Sequence, residues 1–229
     1  MKILEIINGR VPGQRIHLDD INYSVERGDH VLVDGPSGSG KSNFMRMISG
    51  LMTPSEGWVY YRGRPFTYAL DEDYFEERKG ICYFLHGLEP LSDYSVYENM
   101  ELFFRMCTDH SKLEIQELIL ERLHLLHLGD KAGHAPDYLN AEERQLLALG
   151  MNFKEGGELY VIDGVLSGLK PENQKIAMKL LAGIDFSKAT VLVNMQDNHI
   201  LGLEGSRLLR LENGHIAFDG KHNTGLTHF

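Results

Sequence analysis

The chain has 229 residues and a formal net charge of −10. That length buries a sizeable core as one large domain or two small ones, and an acidic surface repels phosphate backbones, which excludes a general nucleic-acid platform. Its two cysteines, Cys82 and Cys107, form neither a disulfide framework nor a metal-ligand pattern and fit a reducing compartment.

The opening MKILEIING carries Glu5 inside a short apolar run, too short and too acidic for a signal peptide. No window approaches the roughly 18 apolar residues of a membrane span. Membrane contact is therefore expected only through a partner, without direct insertion. Residues 1–7 and 16–25 read as short strands, and 30–35, HVLVDG, as a buried one. A helix is predicted over 41–50: Phe44, Met47, Ile48 and Leu51 recur at helical spacing, and Gly50 ends it. Residues 58–63, WVYYRG, read as an edge strand entered through the turn TPSEG, and 79–87 as another apolar strand.

Residues 95–129 have a helical pattern, Ala141–Phe153 reads as a helix, LYVID as a strand and Glu172–Ala182 as a helix. TVLVNM, 190–195, is a predicted strand, and RLLRLENGHIAFDG a hairpin turning at Asn213-Gly214. Strands alternating with helices predict an α/β core with parallel strands. The whole chain, 1–229, reads as a single domain, with a core over about 1–86 and 139–229 and an inserted helical subdomain over about 87–138.

The sharpest motif is GPSGSGKS, 35–42, which matches G-x-x-x-x-G-K-[ST] at each fixed position. An apolar strand precedes it and an amphipathic helix follows, as the mechanism requires. Such glycines let backbone N–H groups wrap phosphates, and the helix N-terminus adds the positive end of its dipole. The expected phosphate-binding residues are Gly35, Pro36, Ser37, Gly38, Ser39, Gly40, Lys41, Ser42 and Asn43. Lys41 reaches the β- and γ-phosphates and Ser42 holds Mg²⁺ in this scheme. An acid ending an apolar strand needs a role, and Asp163 after LYVI supplies the second Mg²⁺ group.

Across nearly its whole length the chain resembles the ATP-binding subunit of ABC transporters. LDDINYSVERGDHVLVDGPSGSGKS (18–42), ISGLMTPSEGWVYYRG (48–63), SVYENM (95–100) and RLLRLENGHIAFDG (207–220) carry the resemblance. It implies a RecA-like P-loop NTPase core, a small antiparallel β part and a helical subdomain. It also implies ATP and Mg²⁺ as cofactors, closure of two such subunits, and a membrane permease that engages the helical subdomain, which places the chain peripherally at the cytoplasmic face of the membrane. Leu88, Leu91 and Tyr94 align with the surface that receives the permease, or are plain subdomain core.

The resemblance departs from the family's pattern where hydrolysis is completed. The adenine-stacking aromatic aligns with Val11, the glutamine that touches Mg²⁺ and water with His86, and the general-base glutamate with Gly164. The family's loop aspartate aligns with Lys170, its γ-phosphate histidine with Gln196, and its Leu-Ser-Gly-Gly-Gln signature with LNAEE, 139–143. Glycine accepts no proton, and general-base loss costs about 10²–10⁴ in rate. In LNAEE, Asn140 and Glu143 have capping-box spacing, and Glu142 and Glu143 satisfy the helix dipole from within. Their carboxylates then repel an incoming triphosphate, or swing into solvent. His199, three residues past Gln196, is either a surface histidine in a turn or a replacement for the lost one. The remaining histidines show no zinc-type spacing, so no metal beyond Mg²⁺ is expected.

Three readings remain open at this level: an ATP-binding transport subunit weak in hydrolysis and paired with a second, intact ATP-binding subunit; an active ATPase using substitute groups; and a nucleotide-independent scaffold.

Overall fold

The computed structural model describes residues 1–13, 17–66, 79–85, 89–203 and 206–221 of the chain. Two sheets organise it. The smaller is antiparallel and contains β1 (Lys2–Val11), β2 (Leu18–Glu26), β4 (Glu56–Tyr61) and β5 (Arg64–Pro65), in the order β2-β1-β4-β5. The larger contains β3 (His30–Asp34), β6 (Ile81–Leu85), β7 (Leu159–Asp163), β8 (Thr190–Asn194), β9 (Arg207–Glu212) and β10 (His215–Lys221). Its order is β10-β9-β3-β8-β7-β6, parallel except for the β9–β10 hairpin.

The central strands are apolar runs because both of their faces are covered. Along β3, Val31 and Val33 point to the core shared with the small sheet, and Leu32 points to the core shared with the helical layer. Because β3, β7 and β8 run parallel, their carboxyl ends lie together. Asp34-Gly35, Asp163 and Asn194 thus meet at one sheet edge, the place where open α/β sheets bind ligands.

Helix α1 (Lys41–Ile48) leaves the end of β3 and buries Phe44, Met45, Met47 and Ile48. Gly50 stops it in the left-handed region at φ 70, donating its N–H to Met47 O while Leu51 N–H reaches Arg46 O. The helical layer holds α2 (Val96–Cys107), α3 (Lys112–Leu125) and α4 (Ala141–Asn152). Helix α5 (Pro171–Leu181) and the short α6 (Met195–Leu201) follow β7 and β8.

Arg122 of α3 joins two of these helices. It is 6% exposed and donates to Gly150 O at 3.1 Å and Phe153 O at 3.2 Å, carbonyls at the end of α4. Its guanidinium lies over the Phe153 ring, 4.8 Å from the centroid. Burial pulls its pKa down to about 10, and the arginine still carries its charge at neutral pH.

Two expectations need correction. The strand at 58–63 is not an edge strand: β4 lies between β1 and the two-residue β5. Met195 does not end β8 but opens α6, because the Asn194 side chain caps that helix by accepting from Gln196 N. The hairpin forms at Asn213 (φ 48) and Gly214 (φ 81), two left-handed residues as a type I′ turn needs.

Arg122→Ala strands two buried carbonyls and opens a gap beside Phe153. The expected loss is about 3 kcal/mol in urea unfolding. Arg122→Lys is expected to recover little of it, since one ammonium does not replace the flat fork.

Candidate functional site

The loop from Gly35 to Gly40 is shaped by glycines that no other residue replaces. A Cβ on Gly35 would stand 2.2 Å from Leu211 O, and one on Gly40 2.7 Å from Leu18 Cδ2, with both residues at positive φ. Gly38, also at positive φ, faces open space. Lys41 bends back so that Nζ donates to Gly35 O at 2.5 Å and Pro36 O at 3.0 Å. Ser39 is 3% exposed, and its Oγ is a buried polar atom with no partner among the described residues.

The start of α1 completes this cradle. Its N-cap is Gly40, with no side-chain cap and no acid in the first turn. In contrast α2, α3 and α4 each close their N-terminus with a capping box, from Ser95, Ser111 and Asn140. A bare helix start, a folded-back lysine and an orphan hydroxyl suit a multiply charged anion such as a nucleotide's phosphates. Ser42 and Asp163 offer a hydroxyl and a carboxylate, the hard oxygen donors Mg²⁺ prefers beside phosphate.

Ser42, Asp163, Gly164, Ser167, Gly168, Asn194, Gln196 and His199 line one open cleft at this sheet edge. Asp163 is 6% exposed, and Asn194 donates to its Oδ1 at 2.8 Å across the β7–β8 pair. The loop after Asp163 is held by another acid. Asp197, fully buried on α6, accepts four backbone N–H bonds, from Gly164 (2.7 Å), Val165 (3.2 Å), Leu166 (3.0 Å) and Ser167 (2.9 Å). Gly164 leaves the strand at φ 73, a conformation that side chains rarely adopt.

The segment LNAEE begins α4 as its spacing predicts. Asn140 Oδ1 accepts from Glu143 N at 3.0 Å, and Glu143 Oε2 accepts from Asn140 N at 3.0 Å. The carboxylates do not swing free into solvent, because each is engaged inside the chain. Glu143 pairs with Lys131 at 2.6 Å, which leads the influences holding its pKa below the ordinary value. Glu142 accepts from Asn173 Nδ2 (2.6 Å) and Lys170 N (3.1 Å) and pairs with Lys170 Nζ (3.1 Å). Those contacts, the Asn173 amide first, hold the Glu142 pKa below 4.5.

The family model described as ABC transporter matches residues 18–167. The lipoprotein-releasing system ATP-binding protein LolD of Treponema denticola is 30% identical over 190 residues, 81% of this chain and 82% of that protein. The chain belongs to the ABC transporter family. The cell division ATP-binding protein FtsE of Mycobacterium tuberculosis is 29% identical over 202 residues, 88% of this chain and 87% of that protein. Among solved structures, the dimeric ATP-binding cassette MJ0796, in a post-hydrolysis state bound to ADP and Pi, overlays with a TM-score of 0.77 at 25% identity, covering 99% of this chain and 100% of that one.

As an ABC ATP-binding domain the chain has the expected fold: a RecA-like P-loop core, a small antiparallel sheet and a helical layer. Of the residues singled out from sequence, Ser42, Asp163, Gly164, Gln196 and His199 come together in the cleft, and Lys41, the first residue of α1, folds back onto the loop instead of joining that lining. His86 and Leu88 lie outside the described residues. Val11 is 5% exposed and paired with Leu18 in the small sheet, so it offers no face to a base. Leu91 and Tyr94 are half exposed and so are not subdomain core.

Asn194 and Asp197 were missed. Asn194 had a readable signal, since it ends an apolar strand as Asp163 does. Asp197 had none, because its partners lie 30 to 33 positions earlier in the chain.

Two outcomes follow for this ABC domain. Asp197→Asn keeps the shape but turns an acceptor into a donor against N–H groups, and is expected to lower unfolding stability by on the order of 3 kcal/mol in urea titration. For Glu142 the folded pKa lies below the unfolded one, so its pairing stabilises at neutral pH and is lost as pH falls through the folded value. Thermal melts of wild type and Glu142→Gln should therefore differ at pH 7 and converge as the pH falls below the ordinary carboxylate range.

Proposed function

We propose that this chain is the ATP-binding subunit of a membrane transport complex, holding Mg-ATP through Gly35–Asn43 and Asp163 while hydrolysing it only weakly. One observation carries the reading. The phosphate loop is complete and its helix start is uncapped, whereas the start of α4 is closed by its own carboxylates and the base position is Gly164.

In this reading the phosphates displace the Lys41 ammonium from Gly35 O and Pro36 O, and the first-turn N–H groups of α1 take up phosphate oxygens. Ser42 and Asp163 hold the cation, with Asn194 fixing the Asp163 carboxylate. Bound Mg²⁺ neutralises charge on the β- and γ-phosphates. Asp197 keeps the loop from Gly164 to Ser167 in place, so the cleft wall stays formed, but no carboxylate at residue 164 takes a proton from water. Restoring one is not a simple swap, because a glutamate at φ 73 costs about 1–2 kcal/mol.

The chain works beside a second ABC ATP-binding subunit with an intact signature and base, and a permease that meets the helical layer where Leu91 and Tyr94 are exposed. The names of its relatives, a lipoprotein-releasing system and a cell-division protein, support a complex at the cytoplasmic face of a membrane. No helix among the described residues is long and apolar enough to cross one.

Purified chain incubated with labelled Mg-ATP is expected to bind it in a Lys41-dependent way. Phosphate release should stay at least about 10²-fold below that of a cassette with its base. Lys41→Ala should abolish the binding. Sustained Lys41-dependent turnover at ordinary rates would overturn the weak-hydrolysis reading, and binding that ignores Lys41→Ala would overturn the site.

A further inference from the structure

Where β6, β7, β8 and β3 end, the strand register lines up four residues. Leu85 pairs with Asp163, and Val33 pairs with Asn194. Ile162 and Val193 are partners as well, so Asp163 and Asn194, the next residue of each strand, stand side by side on one face of the sheet. All four are at most 8% exposed. The two outer residues are apolar, so within this row the acid and the amide have only each other.

Asn194 uses both ends of its amide. Oδ1 accepts from Gln196 N at 3.1 Å, and Nδ2 donates to Asp163 Oδ1 at 2.8 Å. The first bond decides the second. Turning the amide over would set N–H against N–H at Gln196 and oxygen against oxygen at Asp163, so only one orientation satisfies both neighbours. Among the described residues Asp163 takes no other hydrogen bond, and no lysine or arginine pairs with it. Its second oxygen, Oδ2, is left for the cleft that Asp163 lines with Ser42.

That constraint bears on how the acid holds a cation. With Oδ1 tied to an amide and the carboxylate plane fixed, Asp163 offers one oxygen instead of two. Mg²⁺ suits this arrangement. It takes single oxygens at about 2.1 Å in a near-octahedral set and keeps several of its waters. Ca²⁺ is larger, gathers roughly 6–8 oxygens and gains from a carboxylate free to chelate it with both. A rigid acid presenting one oxygen disfavours the larger ion and suits the smaller.

We propose that Asn194 is a positioning residue of the cation site: it fixes Asp163 as a one-oxygen ligand and so sets a preference for Mg²⁺ over Ca²⁺ in the nucleotide complex. This rests on the Mg-ATP reading above. Asn194 is not itself a ligand in this scheme, because its amide oxygen is taken by Gln196 N. It acts on the cation through Asp163.

Calorimetric titration with Mg-ATP and with Ca-ATP, each at saturating cation, tests this on wild type, Asn194→Ser, Asn194→Ala and Lys41→Ala. Serine keeps an oxygen to cap α6 and loses the N–H to Asp163, whereas alanine loses both. Wild type should bind Mg-ATP more tightly than Ca-ATP. Asn194→Ser should weaken Mg-ATP about tenfold and leave Ca-ATP within about twofold. Asn194→Ala should lose the same preference.

Equal affinities in wild type overturn the assignment. So does a ratio unchanged in Asn194→Ser, whether both affinities hold or both fall together. A ratio lost in Asn194→Ala but kept in Asn194→Ser also overturns it, by assigning the effect to the cap of α6. Binding to wild type that fails in Lys41→Ala keeps the Mg-ATP reading even then, whereas wild type that binds neither complex sinks both.

Discussion

One carboxylate holds the functional end of this fold together. Asp197 takes four consecutive backbone N–H groups, those of residues 164–167, and so satisfies a turn that would otherwise leave buried donors unpaired. The same loop is tied from two further helices. Gln145 of α4 donates to Val165 O at 2.6 Å, and Gln174 of α5 to Leu166 O and Leu169 O at 3.2 and 3.0 Å. Three helices thus converge on one short stretch of backbone. The cleft wall at Gly164, Ser167 and Gly168 is a consequence of that convergence, and so is the direction in which Asp163 leaves its strand.

The molecule treats its helix starts in two opposite ways, and the difference separates binding from structure. At α2, α3 and α4 the free N–H groups are answered by a side chain three residues away, which makes each helix self-sufficient. At α1 the N-cap is Gly40, which offers no side chain to answer them, and the glycines before it keep side chains out. A helix start left open in a well-ordered core is a standing demand for an external anion. The start of α4, which the family resemblance casts as a second phosphate contact, is closed by the same means that stabilises α2 and α3.

The parts of this arrangement that were legible in the sequence are those written in local spacing. Lys41 and Ser42 follow a glycine pattern between an apolar strand and an amphipathic helix, so motif and context stand within twenty residues of each other. Asn140 and Glu143 are three residues apart, and their capping box could be read before any coordinates. Asp163 was legible because an acid at the end of an apolar strand needs a purpose. Asp197 and Lys170 were not legible, since their partners lie about thirty positions away and only the tertiary fold brings them close. The edge assignment of β4 failed for a similar reason. Its partner on the second side is the two-residue β5, too short to carry a pattern of its own.

The Glu142–Lys170 contact shows that the departures from the family are coupled. An acid stands where the resemblance expects a glycine, and a lysine where it expects an aspartate, and the two meet at 3.1 Å. Either change alone would leave an unbalanced charge at the junction of α4 with the loop after Asp163. Together they close it, with Asn173 and the Lys170 backbone N–H satisfying the same carboxylate. A surface rebuilt in this way is compatible with folding and with nucleotide on the chain's own loop, but it offers no bare helix start to a phosphate held by a neighbour. Two copies facing each other would place that closed helix opposite both nucleotides. A single copy facing an intact subunit would do so at only one of the two sites, and its own bound nucleotide would then meet an unaltered signature.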